Sequence, residues 1–226
     1  MQKCLLGAIA CLASLAWTPA VAGWTVDWNC LVLDGSLSEG AFVEFEGEID
    51  IGGCVLSPTT ANFIFPHASV GNGTGQPIGS IVIVCDVYAP EECPALDDIT
   101  IDLVGQIVPG QFATKPFIAW TEVIKDITDP NAPVTLVTDS GIAYSQPGEK
   151  HYVFDNPTHA IRIKETFILD GVTYTDDTGL TQIDETAVAA LTLIEKELSF
   201  VPEPGQLIGL AMALVALASL RARRGR

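Results

Sequence analysis

The chain is short of positive charge. It has 11 Lys and Arg against 28 Asp and Glu, a formal net charge of −17. Five of the cations, Lys3, Arg221, Arg223, Arg224 and Arg226, sit at the two ends. Every acid lies between residues 23 and 204, so that stretch carries −22 with six cations. Such a body repels phosphate backbones and anionic lipid surfaces, which excludes nucleic acid and a charged membrane face as partners. It suits a solvated extracellular surface, cations or basic partners.

Catalytic signatures are also missing. There is no G-x-S-x-G, no H-E-x-x-H and no G-K-[ST]. Only three histidines occur, His67, His151 and His159. With so many acids, a His–acid pair arises by chance, so these read as turn or surface residues. The same abundance makes paired carboxylates uninformative about glycosidase chemistry. Helical periodicity is absent from the body, since no stretch keeps apolar residues at helical spacing for three turns.

What remains is β-branched and alternating. Phe42 to Ile51 places Val43, Phe45, Ile49 and Ile51 on one face and Glu44, Glu46, Glu48 and Asp50 on the other. That pattern predicts one half-buried strand, with Gly47 marking a bulge or close packing. Trp24 to Trp28, Ala61 to Phe65, Ile99 to Val104, Phe117 to Ile127, Val134 to Val137 and His151 to Phe154 read as further strands. Ser80 to Cys85 is continuously apolar and predicts a central buried strand. Ala160 to Leu169 and Val172 to Thr175 flank Asp170-Gly171, a hairpin turn signal. Thr186 to Phe200 fits either helical turns followed by a strand, or strand throughout. About ten short strands in roughly 180 residues predict one all-β domain, an antiparallel β-sandwich of Greek-key or jelly-roll type. An antiparallel barrel is the alternative.

Cysteine usage points to export. Cys30, Cys54, Cys85 and Cys93 lie in the body, an even number with no C-x-x-C and with spacings of 24, 31 and 8. Those spacings do not resemble a zinc site, so two disulfides are expected. Of three possible pairings, Cys85–Cys93 and Cys30–Cys54 close the shortest loops and are the expected ones.

Several stretches invite a ligand. Asp126 to Pro130 and Asp176 to Gly179 offer loop oxygens for Ca²⁺, without the spacing of a known calcium loop. No cofactor is therefore expected, with Ca²⁺ as the one candidate. Gly71 to Gly75 lacks the helix and lysine of a phosphate loop and reads as a turn. Trp24, Trp28 and Trp120 have the faces to stack on sugars, though alternating tryptophans in strands usually pack.

The two ends carry addresses. Met1 to Ala22 has a positive start at Lys3, an apolar stretch from Cys4 to Leu15 and the small-x-small site Ala20-Val21-Ala22. It reads as a signal peptide that signal peptidase removes, leaving Gly23 as the mature start. At the other end, Val201, Pro202, Glu203 and Pro204 form a stiff entry. An uncharged run from Leu207 to Leu220 follows, and Arg221, Arg223, Arg224 and Arg226 close the chain. Fourteen residues rise ~21 Å as a helix against a hydrocarbon core of ~30 Å, so the span is short and held on the cytoplasmic side by arginine.

This three-part ending resembles the PEP-CTERM sorting signal. The resemblance implies a Gram-negative bacterium, transient residence as a single-pass helix in the inner membrane, and cutting near Pro-Glu-Pro by an exosortase. It also implies delivery to the cell surface, often beside exopolysaccharide, and it implies nothing about the body. The organisation expected is a signal peptide over 1–22, a β-sandwich over 23–200 and a sorting segment over 201–226. The function expected is a structural or adhesive surface protein with no enzymatic activity. The alternative is a carbohydrate-binding or Ca²⁺-dependent adhesion module, and the third reading is a polysaccharide-modifying enzyme. A concave aromatic face would favour the module, and a close acid pair in a deep cleft would favour the enzyme.

Overall fold

The computed structural model describes residues 23–33, 35–51, 53–71 and 73–201. The expected signal peptide with Ala20 and Ala22 lies outside them, and so does the expected sorting segment from Pro202 through Glu203, Pro204 and the four terminal arginines. Among the described residues no helix is long and apolar enough to cross a membrane.

Every regular element described is a strand. The first eight are β1 (Gly23–Thr25), β2 (Asp27–Leu33), β3 (Phe42–Glu46), β4 (Ile49–Ile51), β5 (Cys54–Ser57), β6 (Thr60–Ile64), β7 (Ser69–Gly71) and β8 (Gly79–Tyr88). The others are β9 (Leu96–Val108), β10 (Phe117–Asp126), β11 (Val134–Ala143), β12 (Lys150–Thr158), β13 (Ala160–Asp170), β14 (Thr173–Thr175), β15 (Thr181–Ile183) and β16 (Val188–Phe200).

Two antiparallel sheets carry the fold. One is ordered β11-β10-β13-β8-β2, the other β12-β9-β16-β6-β3 with β7 also paired to β16. The chain changes sheet between β8 and β9, β9 and β10, β11 and β12, and β12 and β13. The only neighbours in these sheets joined by a direct hairpin are β10 and β11. This is the interleaved connectivity expected of a Greek-key sandwich.

Alternation explains the core. In β8, Ile81, Ile83, Cys85 and Val87 are buried, and in β13 Ile161, Ile163, Phe167 and Leu169. From the facing sheet, Ile99, Ile101 and Leu103 of β9 join Ile194 and Leu198 of β16 and Phe63 of β6. One face of each strand therefore supplies the interior, as period-2 patterning requires.

Several sequence expectations need correction. Phe42 to Ile51 is not one strand: the chain turns at Gly47 (φ 85°), and β3 and β4 enter different sheets. A Cβ at Gly47 would lie 2.6 Å from Thr59 Oγ1, so neither the angle nor the space admits a side chain. The acids Glu44, Glu46, Glu48 and Asp50 do face water, but Phe45 on the opposite face is 44% exposed. Trp24 to Trp28 is likewise split between β1 and β2, with the Val26 N–H donating to Ser57 O at 3.0 Å. Ser80 to Cys85 is not central and fully buried; β8 lies one strand from the edge and buries only its odd positions. Asp170-Gly171 does not make a hairpin. Gly171 (φ 85°) turns the chain away from β13, and β14 pairs with β15 instead. Thr186 to Phe200 resolves as the long strand β16 without helix.

All four body cysteines are in disulfides, but the expected pairing was wrong. The bonds are Cys30–Cys85 and Cys54–Cys93. Antiparallel pairing of β2 with β8 sets Cys30 directly opposite Cys85, with Cα atoms 4.1 Å apart. Cys85 thus faces inward toward β2, on a partner that its distance along the chain does not reveal. Cys93, beyond the turn at Pro90, meets Cys54 at the start of β5, Cα to Cα 5.7 Å.

A basic groove and a buried charged row

Three features of the sandwich have chemical potential: a groove on its outer face, a charged row in its core and a set of polar turns. The groove lies on the outer face of the five-stranded sheet, with a volume of about 420 Å³. Its floor comes from Val123 and Lys125 of β10, Arg162 and Lys164 of β13, and Tyr88 at the end of β8. Its wall is Ile127, Pro130 and Pro133 from the loop between β10 and β11. Register brings these together. Lys125 pairs with Arg162, Arg162 with Asp86, and Val123 with Lys164, so three cations project from adjacent strands. They are half of the six cations between residues 23 and 204.

Arg162 is already engaged. Its Nε and Nη2 donate to the two carboxylate oxygens of Asp86, each at 2.6 Å, a bidentate fork that fixes the guanidinium. Lys125 and Lys164 form no ion pair with the described residues. Tyr88 is 41% exposed and offers an aromatic surface beside them. The loop wall is itself fixed. Asp126 accepts from the Thr128 N–H at 2.8 Å, and Asp129 from the Asn131 N–H at 2.9 Å. These carboxylates, the expected Ca²⁺ candidate, each accept a backbone N–H within the turn through Oδ1.

The second feature lies in the core. Asp139 of β11, Glu122 of β10 and Glu165 of β13 are register partners in one inward-facing row. Glu122 is 3% exposed and Glu165 1%. From the opposite sheet Lys196, 0% exposed, donates to Glu165 Oε2, with its Nζ 5.2 Å from the Phe63 ring centroid. Glu122 has its carboxyl pushed up to about 8, by burial first and by the Glu165 charge second. Glu122 Oε1 and Glu165 Oε1 find no hydrogen-bond partner among the described residues. The row reaches the edge of the sheet through Asp139, whose Oδ2 accepts from Tyr152 O–H at 2.9 Å. An acid pair exists, then, but it is sealed rather than placed in a cleft, and substrate has no access to it.

The remaining candidates are dispersed or structural. Trp28 is 8% exposed and its indole N–H donates to Pro58 O at 2.9 Å. Trp24 is half-buried against the core, and Trp120 has Lys150 Nζ 4.8 Å above its ring. No tryptophan forms a sugar platform among the described residues. His151 reaches Asp98 at 3.3 Å, His67 is exposed and His159 is half-buried, and they do not converge.

Asp176 caps the β14–β15 turn, accepting from Thr178 N–H and O–H, Leu180 N–H and the Gln182 amide. Those donors, Thr178 O–H foremost, hold it at about 2. Both Asp176 carboxylate oxygens thus accept hydrogen bonds from within the turn. Asp184 is similarly committed to Thr114, Phe112 and Thr186, tying the loop after β9 to the turn between β15 and β16. Among the described residues no three His, Cys, Asp or Glu stand together as metal ligands. Gly73 N–H donates to Glu185 Oε2 at 2.7 Å. Gly23 opens β1 opposite Val55, and the Val201 N–H donates to Ala95 O at 3.0 Å just past the last strand.

Sequence reading missed both the groove and the row. One signal was available. Lys196 stands between Ile194 and Leu198 on the buried parity of its strand, as Glu165 does between Ile163 and Phe167. A charge on the apolar parity marks an inward ion that needs a partner.

No family model matches the chain, and no curated protein sequence does. Among solved structures, TmCBM61 in complex with beta-1,4-galactotriose is similar at 10% identity and a TM-score of 0.31, covering 77% of this chain and 88% of that one. The xylan-binding module CBM15 is similar at 9% identity and a TM-score of 0.25, covering 77% and 99%. The enzymatically active domain of tailspike protein 4 from bacteriophage CBA120 is similar at 10% identity and a TM-score of 0.26, covering 79% and 20%. At these scores each is a remote likeness and assigns no ligand to this chain.

Proposed function

We propose that this chain is an exported, non-catalytic β-sandwich that holds an extracellular glycan bearing carboxylate groups in the groove between Tyr88 and Lys164. The observation that carries the reading is the concentration of Lys125, Arg162 and Lys164 beside an exposed tyrosine in an otherwise acidic body. Lysine ammonium groups bind carboxylates, and an aromatic face packs against the C–H face of a sugar ring. The overall charge repels a dense polyanion, so the ligand has carboxylates spaced along a largely neutral chain. Export by signal peptidase at Gly23 and release by exosortase near Pro202-Glu203-Pro204 would deliver such a binder to the cell surface, next to exopolysaccharide. Two disulfides suit that compartment. A non-catalytic role suits an acid pair that is closed to substrate.

Calorimetry with a glucuronate trisaccharide in which one glucuronate is flanked by two neutral glucose units, and with the matching all-glucose trisaccharide, tests this. The acidic sugar is expected to bind about tenfold tighter or more, with affinity falling as salt is added. Equal affinity for the two sugars, or no binding of either, would contradict the proposal.

A further inference from the structure

The groove leaves the buried row unexplained. Two carboxyls and one ammonium occupy a core that is otherwise largely apolar. Two carboxyl oxygens, Glu122 Oε1 and Glu165 Oε1, lack any partner among the described residues. Isolated buried charge and unpaired buried oxygen are both expensive, and an apolar trio would fill the space more stably. Lys196 comes from β16 in the middle of one sheet, and Glu165 from β13 in the middle of the other. The amine touches the carboxyl directly, with no solvent exposure at either end.

From this geometry we infer that Lys196 and Glu165 are a modification site, where an intramolecular amide forms between Lys196 Nζ and Glu165 Cδ, with Glu122 carrying protons. The step balances without any co-reactant. A proton passes from Nζ to Oε2 along their contact, giving a free amine and a neutral acid with no change in net charge. Nζ then adds to Cδ. Glu122, in its acid form, protonates the carbonyl oxygen and recovers a proton from the nitrogen. The C–O bond then breaks as the amide C=O reforms: the departing hydroxyl takes a proton from Glu122 and leaves as water, and Glu122 recovers the proton of the remaining hydroxyl. Glu122 ends as it began. One ammonium and one carboxylate become one neutral amide and one water.

Three features favour the step. Fixed contact between amine and carboxyl replaces an encounter in solution with an effective molarity of order 10⁵ M or more. Burial, with the Glu165 charge beside it, raises the Glu122 carboxyl and so favours its acid form. The product replaces a buried ion pair with a neutral amide. The amide would tie the two sheets through their centres, a covalent brace independent of the disulfides. It does not rest on the glycan reading.

Peptide mass mapping tests it. The full chain is expressed through an oxidising secretory route, shown to melt cooperatively, then reduced, denatured and digested. Trypsin is expected to leave Lys196 uncut, so that the peptide starting at Glu165 runs through it and weighs about 18 Da less than its sequence, one water. Cleavage before Asp170, Asp176, Asp177 and Asp184 should leave the segments holding Glu165 and Lys196 joined. A peptide Glu165–Lys196 ending at Lys196 with full mass, from cooperatively folded protein, overturns the inference and leaves an ion pair. Glu122→Gln is expected to fold and to give that full-mass peptide. Undiminished loss of water in Glu122→Gln would remove Glu122 from the proton-carrying role.

Discussion

Lys196→Ala is expected to destabilise the body by about 3–5 kcal/mol, the usual penalty for removing one partner of a buried pair. The cause is not the lost attraction alone. Glu165 is 1% exposed and sits opposite Glu122, so without Lys196 two inward carboxyls face each other with no cation. The deletion also leaves a cavity beside Phe63. Thermal melting at neutral pH should show the drop. Lys196→Met with Glu165→Leu should recover most of it, because the apolar pair fills similar volume and leaves no buried charge. If the double substitution were as unstable as the single one, packing rather than charge would be responsible. Whether Lys196 and Glu165 are joined by an amide or by an ion pair, the single substitution leaves Glu165 buried without its partner, so the loss is expected in either case.

Lys125→Glu with Lys164→Glu is expected to lower affinity for the glucuronate trisaccharide by about 100-fold or more, with the melting temperature almost unchanged. Both side chains project from the outer face, and neither makes an ion pair with the described residues. Their replacement therefore takes nothing from the core. Arg162 is a poorer target, because its fork to Asp86 means that removal would free an acid on the strand beside it. Retained affinity in the double variant would place the ligand elsewhere.

Local patterning was enough to read the fold class. The alternation in Ile99 to Val104 and in Ala160 to Leu169 describes strands with one buried face, and β9 and β13 are such strands. Partnership between strands was not legible. Cys30 pairs with Cys85 because β2 lies beside β8, an adjacency set by the whole topology and not by loop length. Asp170-Gly171 has the composition of a hairpin turn, but Gly171 N–H is drawn to Asp170 Oδ1 at 2.6 Å and the chain leaves the sheet. Parity in β13 shows that Arg162 and Lys164 share a face. That Lys125 joins them depends on a register between strands about forty residues apart.

The most direct measurement is a two-dimensional amide NMR titration of the isotope-labelled protein with the glucuronate trisaccharide. Shifts are predicted to concentrate on Tyr88, Val123, Lys125, Arg162 and Lys164, while the acidic stretch Glu44 to Asp50 stays fixed. Saturable shifts elsewhere on the surface, or none at millimolar sugar, would contradict the assignment of this groove as the glycan site.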